Sequence, residues 1–258
     1  SGNMNVSGLM TVAGGSVANS GNLNTTGAVH VDGLDIDVGY IQAAGDMTNS
    51  GKWNTDHTAI LGGSLTNAEE GTITVNGQLL NAGGDIANAG ELNTQAGVGF
   101  GSIEAEVGYV QVKGSMTNSG DWDASQIVAL GGTITNMKSG DMLTEDMTLI
   151  DTDLTNAGGL KVDGHFTMAE AESGEFTKLT NSGDMGVSGA MILAGVKMEN
   201  TGTLTTGDGV IDGSAALLSE MTNKGTWNST NVGMAAGSLA NSGNMNVSGL
   251  MTVAGGSV

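Results

Sequence analysis

The sequence predicts an all-β protein, a parallel β-helix of about 11 triangular turns of 18–30 residues with a ladder of corner asparagines. Three observations predict it. A short asparagine motif recurs along the whole chain, most often every 18 to 21 residues. Each interval contains three short segments of alternating apolar and polar residues separated by glycine-containing breaks. The chain has 45 glycines but no proline, which suits strands whose backbone N–H groups all enter ladders.

The recurring motif is clearest at residues 47–54, which read MTNSGKWN, and it returns at residues 116–123 and 221–228. Its weaker form is an apolar residue, a small or polar residue, asparagine, a short link and glycine. The asparagines are Asn19, Asn49, Asn67, Asn88, Asn118, Asn136, Asn156, Asn181, Asn200, Asn223 and Asn241. A fixed period of this kind is the signature of a repeat architecture, so each interval is interpreted as one turn.

The first turn illustrates the predicted geometry. Residues 3–6, 9–13 and 16–18 are its three strand-like segments, and each should stack on its copy in the next turn, about 4.8 Å away. A corner asparagine can then donate to the copy above and accept from the copy below. We expect asparagine, and the glycine two places later, to supply a left-handed corner backbone.

The position four residues after each asparagine is predicted to line the core. It carries Trp53, Trp122 and Trp227 in three turns and Leu or Met in most others, so the tryptophans are interpreted as core residues rather than a ligand stack. The residue directly after this core position points outward in an alternating strand, and Asn54 is therefore predicted to face solvent.

Residues 1–17 return letter for letter as residues 242–258. The chain is therefore one 241-residue cycle followed by the first 17 residues of the next. We expect residues 1–258 to form a single solenoid that is a slice of a longer tandem array. The predicted partners are copies of the chain itself, end to end, as tandem repeats or as a filament.

Charge and composition exclude several classes of function. The chain has 27 acidic residues, seven Lys and no Arg, giving a net charge of -20. Binding to nucleic acid is not expected, because counterion release needs basic groups. No apolar run approaches the length of a membrane span, so no membrane insertion is expected. With no cysteine, disulfides and thiolate metal sites are excluded.

Two long turns contain matching acidic segments, residues 34–42 (LDIDVGYIQ) and 103–111 (IEAEVGYVQ), whose extra length must leave the solenoid wall as an excursion or extended side. The carboxylates Asp35, Asp37, Glu104 and Glu106 are candidate calcium ligands, since paired oxygen ligands suit that ion. Otherwise no cofactor or metal is predicted. The alternative is an outward-facing acidic strand with Ile36 and Ala105 turned inward. A second acidic run is interpreted as a similar solvated face, at Asp141, Glu145, Asp146, Asp151 and Asp153.

Tyr40 and Tyr109 end these segments and are expected to anchor the excursions, with the rings buried and the hydroxyls outward. Parallel β-helices also include polysaccharide lyases and hydrolases, whose chemistry needs clustered carboxylates, often with Lys or Arg. Here the seven Lys are scattered, and His30, His57 and His165 share no metal-ligand spacing. The sequence therefore predicts that the protein is not an enzyme.

The motif in residues 64–73 (SLTNAEEGTI), 85–94 (DIANAGELNT) and 153–162 (DLTNAGGLKV) resembles the haemagglutinin repeats of filamentous adhesins. These adhesins belong to the two-partner secretion family of Gram-negative bacteria, and the resemblance covers essentially the whole chain. It implies a right-handed parallel β-helix, export through an outer-membrane pore, and a surface fibre.

The function expected from these features is that of a structural, rod-like segment of a bacterial extracellular or cell-surface fibre: an adhesin shaft, a spacer or a filament subunit. The alternative is a ligand-binding adhesin surface that recognises glycan or divalent cations through the acidic excursions. A host or neighbouring-cell surface would then be a further partner. The expected location is extracellular or on the bacterial cell surface.

Overall fold

The computed structural model describes residues 2–26, 29–31, 34–36, 38–94, 98–100, 103–105, 108–171, 176–207, 213–217 and 219–258. Throughout these ranges the chain forms strands, turns and irregular connections, and no helix. Contacts between Cα atoms divide the chain into two compact units, Ser1–Ala129 (unit 1) and Leu130–Val258 (unit 2). Each unit is a stack of three-stranded turns, so the predicted parallel β-solenoid is confirmed.

Unit 1 contains short parallel strands and two hairpins. Its strands are β1 (Asn3–Val6), β2 (Met10–Val12), β3 (Ser16–Asn19), β4 (Asn22–Thr25), β5 (Val29–Val31), β6 (Leu34–Ile36), β7 (Val38–Gln42), β8 (Asp46–Asn49), β9 (Lys52–Thr55), β10 (His57–Ile60), β11 (Ser64–Asn67), β12 (Thr72–Val75), β13 (Leu79–Asn81), β14 (Asp85–Asn88), β15 (Glu91–Thr94), β16 (Val98–Phe100), β17 (Ile103–Ala105), β18 (Tyr109–Val112), β19 (Ser115–Asn118) and β20 (Asp121–Asn136). The last of these continues past the end of the unit.

The parallel strands of unit 1 form three sides. Side 1 contains the strands that follow a corner asparagine, together with β1: β1, β4, β9, β12, β15 and residues 121–124 of β20. Side 2 contains the middle strands β2, β7, β10, β13 and β18. Side 3 contains the strands that end in a corner asparagine, β3, β8, β11, β14 and β19.

Unit 2 is built in the same way. Its further strands are β21 (Asp141–Asn156), β22 (Gly159–Val162), β23 (Phe166–Ala169), β24 (Thr177–Asn181), β25 (Asp184–Val187), β26 (Ala190–Ala194), β27 (Val196–Asn200), β28 (Thr203–Thr206), β29 (Gly213–Leu217), β30 (Glu220–Asn223), β31 (Thr226–Ser229), β32 (Val232–Ala235), β33 (Ser238–Asn241), β34 (Asn244–Val247) and β35 (Met251–Ala254). Strand β21 runs through all three sides: residues 141–144 pair with β22, residues 147–150 with β23, and residues 154–156 with β24.

Alternation along each strand separates core from surface. In β8, Met47 and Asn49 are buried while Asp46 and Thr48 are exposed. Successive turns stack in register, so that Met47 lies beside Leu65 and Asn49 beside Asn67. A narrow core forms because apolar residues occupy the same strand positions in every turn. A shift of the strand pairing by one residue would turn all of these apolar side chains towards solvent.

The two acidic segments of unit 1 form hairpins outside the parallel sheet. Strand β5 pairs antiparallel with β6, and β16 pairs antiparallel with β17. The predicted excursions are therefore confirmed. Ile36 and Ala105 lie in strands β6 and β17, which belong to separate two-stranded sheets, and the inward orientation of the two side chains stays a prediction.

Candidate functional site

The corner asparagines are the most regular polar arrangement in each unit. Within each unit, Nδ2 of every corner asparagine before the last donates a hydrogen bond to Oδ1 of the asparagine one turn later, at 2.7–2.9 Å. The unit 1 series is Asn19, Asn49, Asn67, Asn88 and Asn118. The unit 2 series is Asn136, Asn156, Asn181, Asn200, Asn223 and Asn241. The predicted ladder is confirmed within each unit.

The side-chain amide of Asn181 forms hydrogen bonds through both its nitrogen and its oxygen. Its Nδ2 lies 2.7 Å from Oδ1 of Asn200 and 2.9 Å from the carbonyl oxygen of Thr203, both in the next turn. Its Oδ1 accepts from Nδ2 of Asn156 in the preceding turn, at 2.9 Å. The side chain is 1% exposed. Because a buried amide without partners is strongly unfavourable, each asparagine fixes the register of its neighbours.

The corner glycines have a different role from the one predicted. We expected a left-handed backbone at the asparagine and at the glycine two residues later, but none of the described corner asparagines has a positive φ, and neither do Gly51, Gly120, Gly183 or Gly225. At these four glycines an added Cβ would lie within 3.0 Å of a backbone atom of the preceding turn. Close approach of successive turns therefore requires glycine, and the left-handed prediction is wrong.

Left-handed residues occur at another corner, the one between sides 2 and 3. In unit 1, Gly45 and Gly63 have φ values of 97° and 78° there, and Lys113 adopts 64°. The backbone at this corner enters the left-handed region, which glycine occupies without steric strain. The sequence signal was the glycine pair that precedes several side 3 strands.

The three tryptophans are fully buried, which confirms their prediction as core residues. Each indole Nε1 also donates to the hydroxyl of a threonine one turn earlier, a contact that the sequence analysis missed. The pairs are Trp53 with Thr25 (3.1 Å), Trp122 with Thr94 (3.3 Å) and Trp227 with Thr206 (3.5 Å). The turn before each tryptophan ends its side 1 strand in threonine, but Thr55 and Thr144 occupy the same position before turns without tryptophan, so this threonine was only a weak signal.

Tyr40 anchors its segment as predicted, but its hydroxyl points into the core rather than outward. The ring is fully buried and packs edge-on against Trp53, with ring centroids 4.7 Å apart. The hydroxyl donates to Oε1 of Gln42 at 3.1 Å. The Gln42 amide in turn donates to backbone carbonyl groups at the corner between sides 2 and 3, among them that of Gly45. Burial raises the pKa of Tyr40 to about 12.

Tyr109 repeats this arrangement three turns later. It packs edge-on against Trp122 at 4.9 Å, and its hydroxyl donates to Oε1 of Gln111 at 2.9 Å. Burial raises the pKa of the Tyr109 hydroxyl, and a side-chain hydrogen bond with Asn81 lowers it by a smaller amount. In four successive turns the same core position carries Gln42, Ile60, Asn81 and Gln111. The tyrosine hydroxyls supply hydrogen-bond partners for the buried glutamines. The shared Tyr-x-Gln spacing was the sequence signal for this network.

The calcium prediction stays a prediction. Asp37 and Glu106 lie outside the described residues, whereas Asp35 and Glu104 lie in the hairpin strands β6 and β17. Within the part of the chain that the structure describes, no group of three or more His, Cys, Asp or Glu is placed to hold a metal ion.

The second acidic run has a structural role that the sequence analysis did not anticipate. Carboxylate oxygens of Asp146, Asp151 and Asp153 accept hydrogen bonds from backbone N–H groups one turn later, at 2.6–2.8 Å. Two histidines act in the same way, since Nδ1 of His57 and of His165 accept from backbone N–H groups at 2.9 and 3.0 Å. These side chains satisfy backbone donors at corners where the strand ladder is interrupted.

No arrangement in the described ranges combines a nucleophile, a base and an orienting group. The amides of the ladder are neutral and carry no acid or base chemistry, and their hydrogen bonds run along the stack. The described residues contain no helix of sufficient length and hydropathy to cross a membrane. Comparison with family models, curated proteins and solved structures gave no match.

Proposed function

We propose that this chain is a structural segment of an extracellular or cell-surface fibre, acting as a shaft, spacer or filament subunit. The observation that carries the proposal is the unbroken series of buried asparagine hydrogen bonds in each unit. Each turn is fixed to the next by three strand ladders and by this internal amide ladder. A stack of this kind resists bending and shearing, because any relative movement of two turns breaks many hydrogen bonds together.

The sequence periodicity supports extension beyond one cycle. The 17-residue identity at a distance of 241 residues is what tandem duplication produces. About 11 turns at a rise of about 4.8 Å give roughly 50 Å per cycle. The high negative charge would favour the solubility of such a fibre. An enzymatic role is not part of the proposal.

Small-angle X-ray scattering on matched proteins tests the mechanical part of this proposal. One protein is the 258-residue chain, and the other carries an additional 241-residue cycle in frame. We expect the maximum dimension to increase by roughly 50 Å per added cycle, with an unchanged cross-section. A smaller increase with a broader distance distribution would show flexibly joined bodies and contradict the stiff-spacer role.

Localisation needs a separate test. Antibodies raised against the chain should label intact, unpermeabilised cells of the organism that encodes it, visible by immunogold electron microscopy as surface fibres. Antibodies against a cytoplasmic protein of the same cells provide the control. Labelling that depends on permeabilisation would refute the surface assignment while leaving the stiff-spacer role intact.

A further inference from the structure

The described outward strand positions of side 2 in unit 1 carry no charged residue, unlike those of the other two sides. Strand alternation turns two residues per turn outward on this side, and together they define the side 2 face. In four successive turns these residues are Ile41 and Ala43, Ala59 and Leu61, Leu80 and Ala82, and Val110 and Val112. All eight are apolar and all are at least partly exposed, with Leu61 46% and Val112 40% exposed.

The other sides of unit 1 carry charges at the equivalent outward positions. Side 1 presents Lys52, Glu91 and Asp121, and side 3 presents Asp46 and Asp85. Unit 2 shows the same contrast. Its described outward positions on side 2 carry no charge: Thr148, Ile150, Thr167, Ala169, Ile192, Ala194, Gly233, Ala235, Thr252 and Ala254. Its sides 1 and 3 include the charged residues Asp141, Lys161, Asp184, Lys178, Lys197 and Glu220.

Core packing does not account for the side 2 face. The inward positions of the same strands already fill the interior, as at Tyr40, Ile60 and Leu79, which are all fully buried. The outward apolar side chains stay exposed after folding, so their burial does not stabilise the unit. Exposed apolar patches in soluble proteins commonly mark binding surfaces. In a molecule with a net charge of -20, the face is also the side where another acidic molecule meets least repulsion.

The pattern of side-chain sizes on this face is self-complementary. Ile41, Ala59 and Leu80 lie side by side in register, and each is accompanied two residues later by a side chain of the opposite size. In these three turns large and small residues alternate both along and across the stack, and the fourth turn carries two valines, so the face has ridges and hollows at the inter-turn spacing. A second copy has the same ridges at the same spacing, so two faces can interdigitate as paired sheets do, about 10 Å apart.

We propose that the side 2 face of unit 1 is a lateral pairing surface for a second copy of this chain, packed face to face about a two-fold axis. The contact buries Leu61 and Val112. Because none of the eight residues of the side 2 face is charged, no charged side chains of the two faces meet in it. It is distinct from end-to-end continuation, which uses strand edges, and it does not depend on the fibre function proposed above.

The size of the face sets the strength expected of the contact. Four turns extend about 19 Å along the stack at about 4.8 Å per turn. The strands of this side, three to five residues long at about 3.3 Å per residue, make the face at most about 16 Å wide, so its area is at most roughly 300 Å². That area is less than the roughly 800 Å² per partner buried in stable complexes, so pairing through one unit is weak and concentration-dependent. In a protein with several cycles, many such faces would act together and the pairing would strengthen by avidity.

Cysteine crosslinking tests the proposal directly, because the chain contains no cysteine of its own. Leu61→Cys places a thiol near the middle of the face, and Asn54→Cys places one at an exposed position of side 1 in the same turn. Both proteins are treated with a short bis-maleimide at high protein concentration and high salt. We expect covalent dimers to form about tenfold faster or more through Leu61→Cys, since pairing raises the local thiol concentration.

A third variant separates pairing from accidental reactivity. Adding Ala82→Glu to Leu61→Cys introduces a charge into the centre of the face, at a partly exposed site where folding tolerates it. Dimer formation should fall to the rate of the Asn54→Cys protein, while circular dichroism and the melting temperature stay unchanged. Equal crosslinking at the two cysteine positions, or a rate that Ala82→Glu does not lower, would overturn the proposal.

Discussion

Replacing Asn181 by alanine tests the assignment of the ladder as the element that holds successive turns together. The substitution removes an amide that donates to Asn200 and Thr203 and accepts from Asn156. Asn156 keeps two other acceptors for its N–H groups, the carbonyl oxygens of Gly158 and Asp184. The buried Oδ1 of Asn200 loses the donor that Asn181 supplies, so the largest loss falls on the turn that follows.

The expected magnitude follows from these contacts. A buried acceptor deprived of its donor costs about 1–3 kcal/mol, and the remaining lost hydrogen bonds add about 1 kcal/mol. We therefore expect a local loss of about 2–4 kcal/mol at Asn181→Ala. Since every 1.4 kcal/mol is tenfold, the opening equilibrium of the neighbouring strands should rise by roughly 30- to 1,000-fold.

Native-state hydrogen exchange measured by mass spectrometry is the suitable assay, because it resolves opening strand by strand in a repeat protein. Peptides covering β24 and β27 should lose protection in Asn181→Ala. The matched control is Asn54→Ala, the same substitution at an exposed asparagine whose side chain donates to Asn24 at 3.1 Å. Its effect should stay within about 0.5 kcal/mol. Equal losses of protection at the two sites would refute the ladder reasoning.

Three further predictions follow from the described contacts. Gly183→Ala should destabilise unit 2 by about 1–3 kcal/mol, because its Cβ would meet the backbone of the preceding turn. Gly186→Ala, with open space around its Cβ, should be neutral or stabilising by up to about 1 kcal/mol in urea unfolding. Thr94→Val should cost about 1–3 kcal/mol by removing the acceptor of the Trp122 indole, and Thr94→Ser should restore most of it. Both tyrosines are buried with raised pKa values, so stability should be fully present below pH 10 and fall as the pH rises through 12. Phenolate absorbance at 295 nm should then appear only as the protein unfolds, and titration near pH 10 in the folded state would contradict the burial.

The repeat and its phases could be predicted from the sequence alone. Position in the motif identified the buried asparagines, the core tryptophans and the solvent-facing Asn54, because a solenoid places every copy of a phase in one environment. The extra length of the acidic segments also predicted that they leave the wall. Such inferences succeed because they depend on periodicity, which is a property of the sequence itself.

Contacts between turns could not be predicted in the same way. Whether Gly183 is required for a left-handed backbone or for close approach depends on the distance to the preceding turn, which only the folded chain defines. The direction of the Tyr40 hydroxyl depended on finding Gln42 in the core beside it. The Trp122–Thr94 bond joins residues 28 positions apart, and their pairing follows from the register of two stacked strands.

The sequence thus determined which residues face inward, because burial follows the strand period, and it showed that the same environments recur along the chain. Only the tertiary structure decided which atoms meet across neighbouring turns and which outward positions share one face. The side 2 face illustrates the difference. Ile41, Leu61 and Leu80 are separated by 20 and 19 positions in the sequence, and they become one surface only when three turns stack in register.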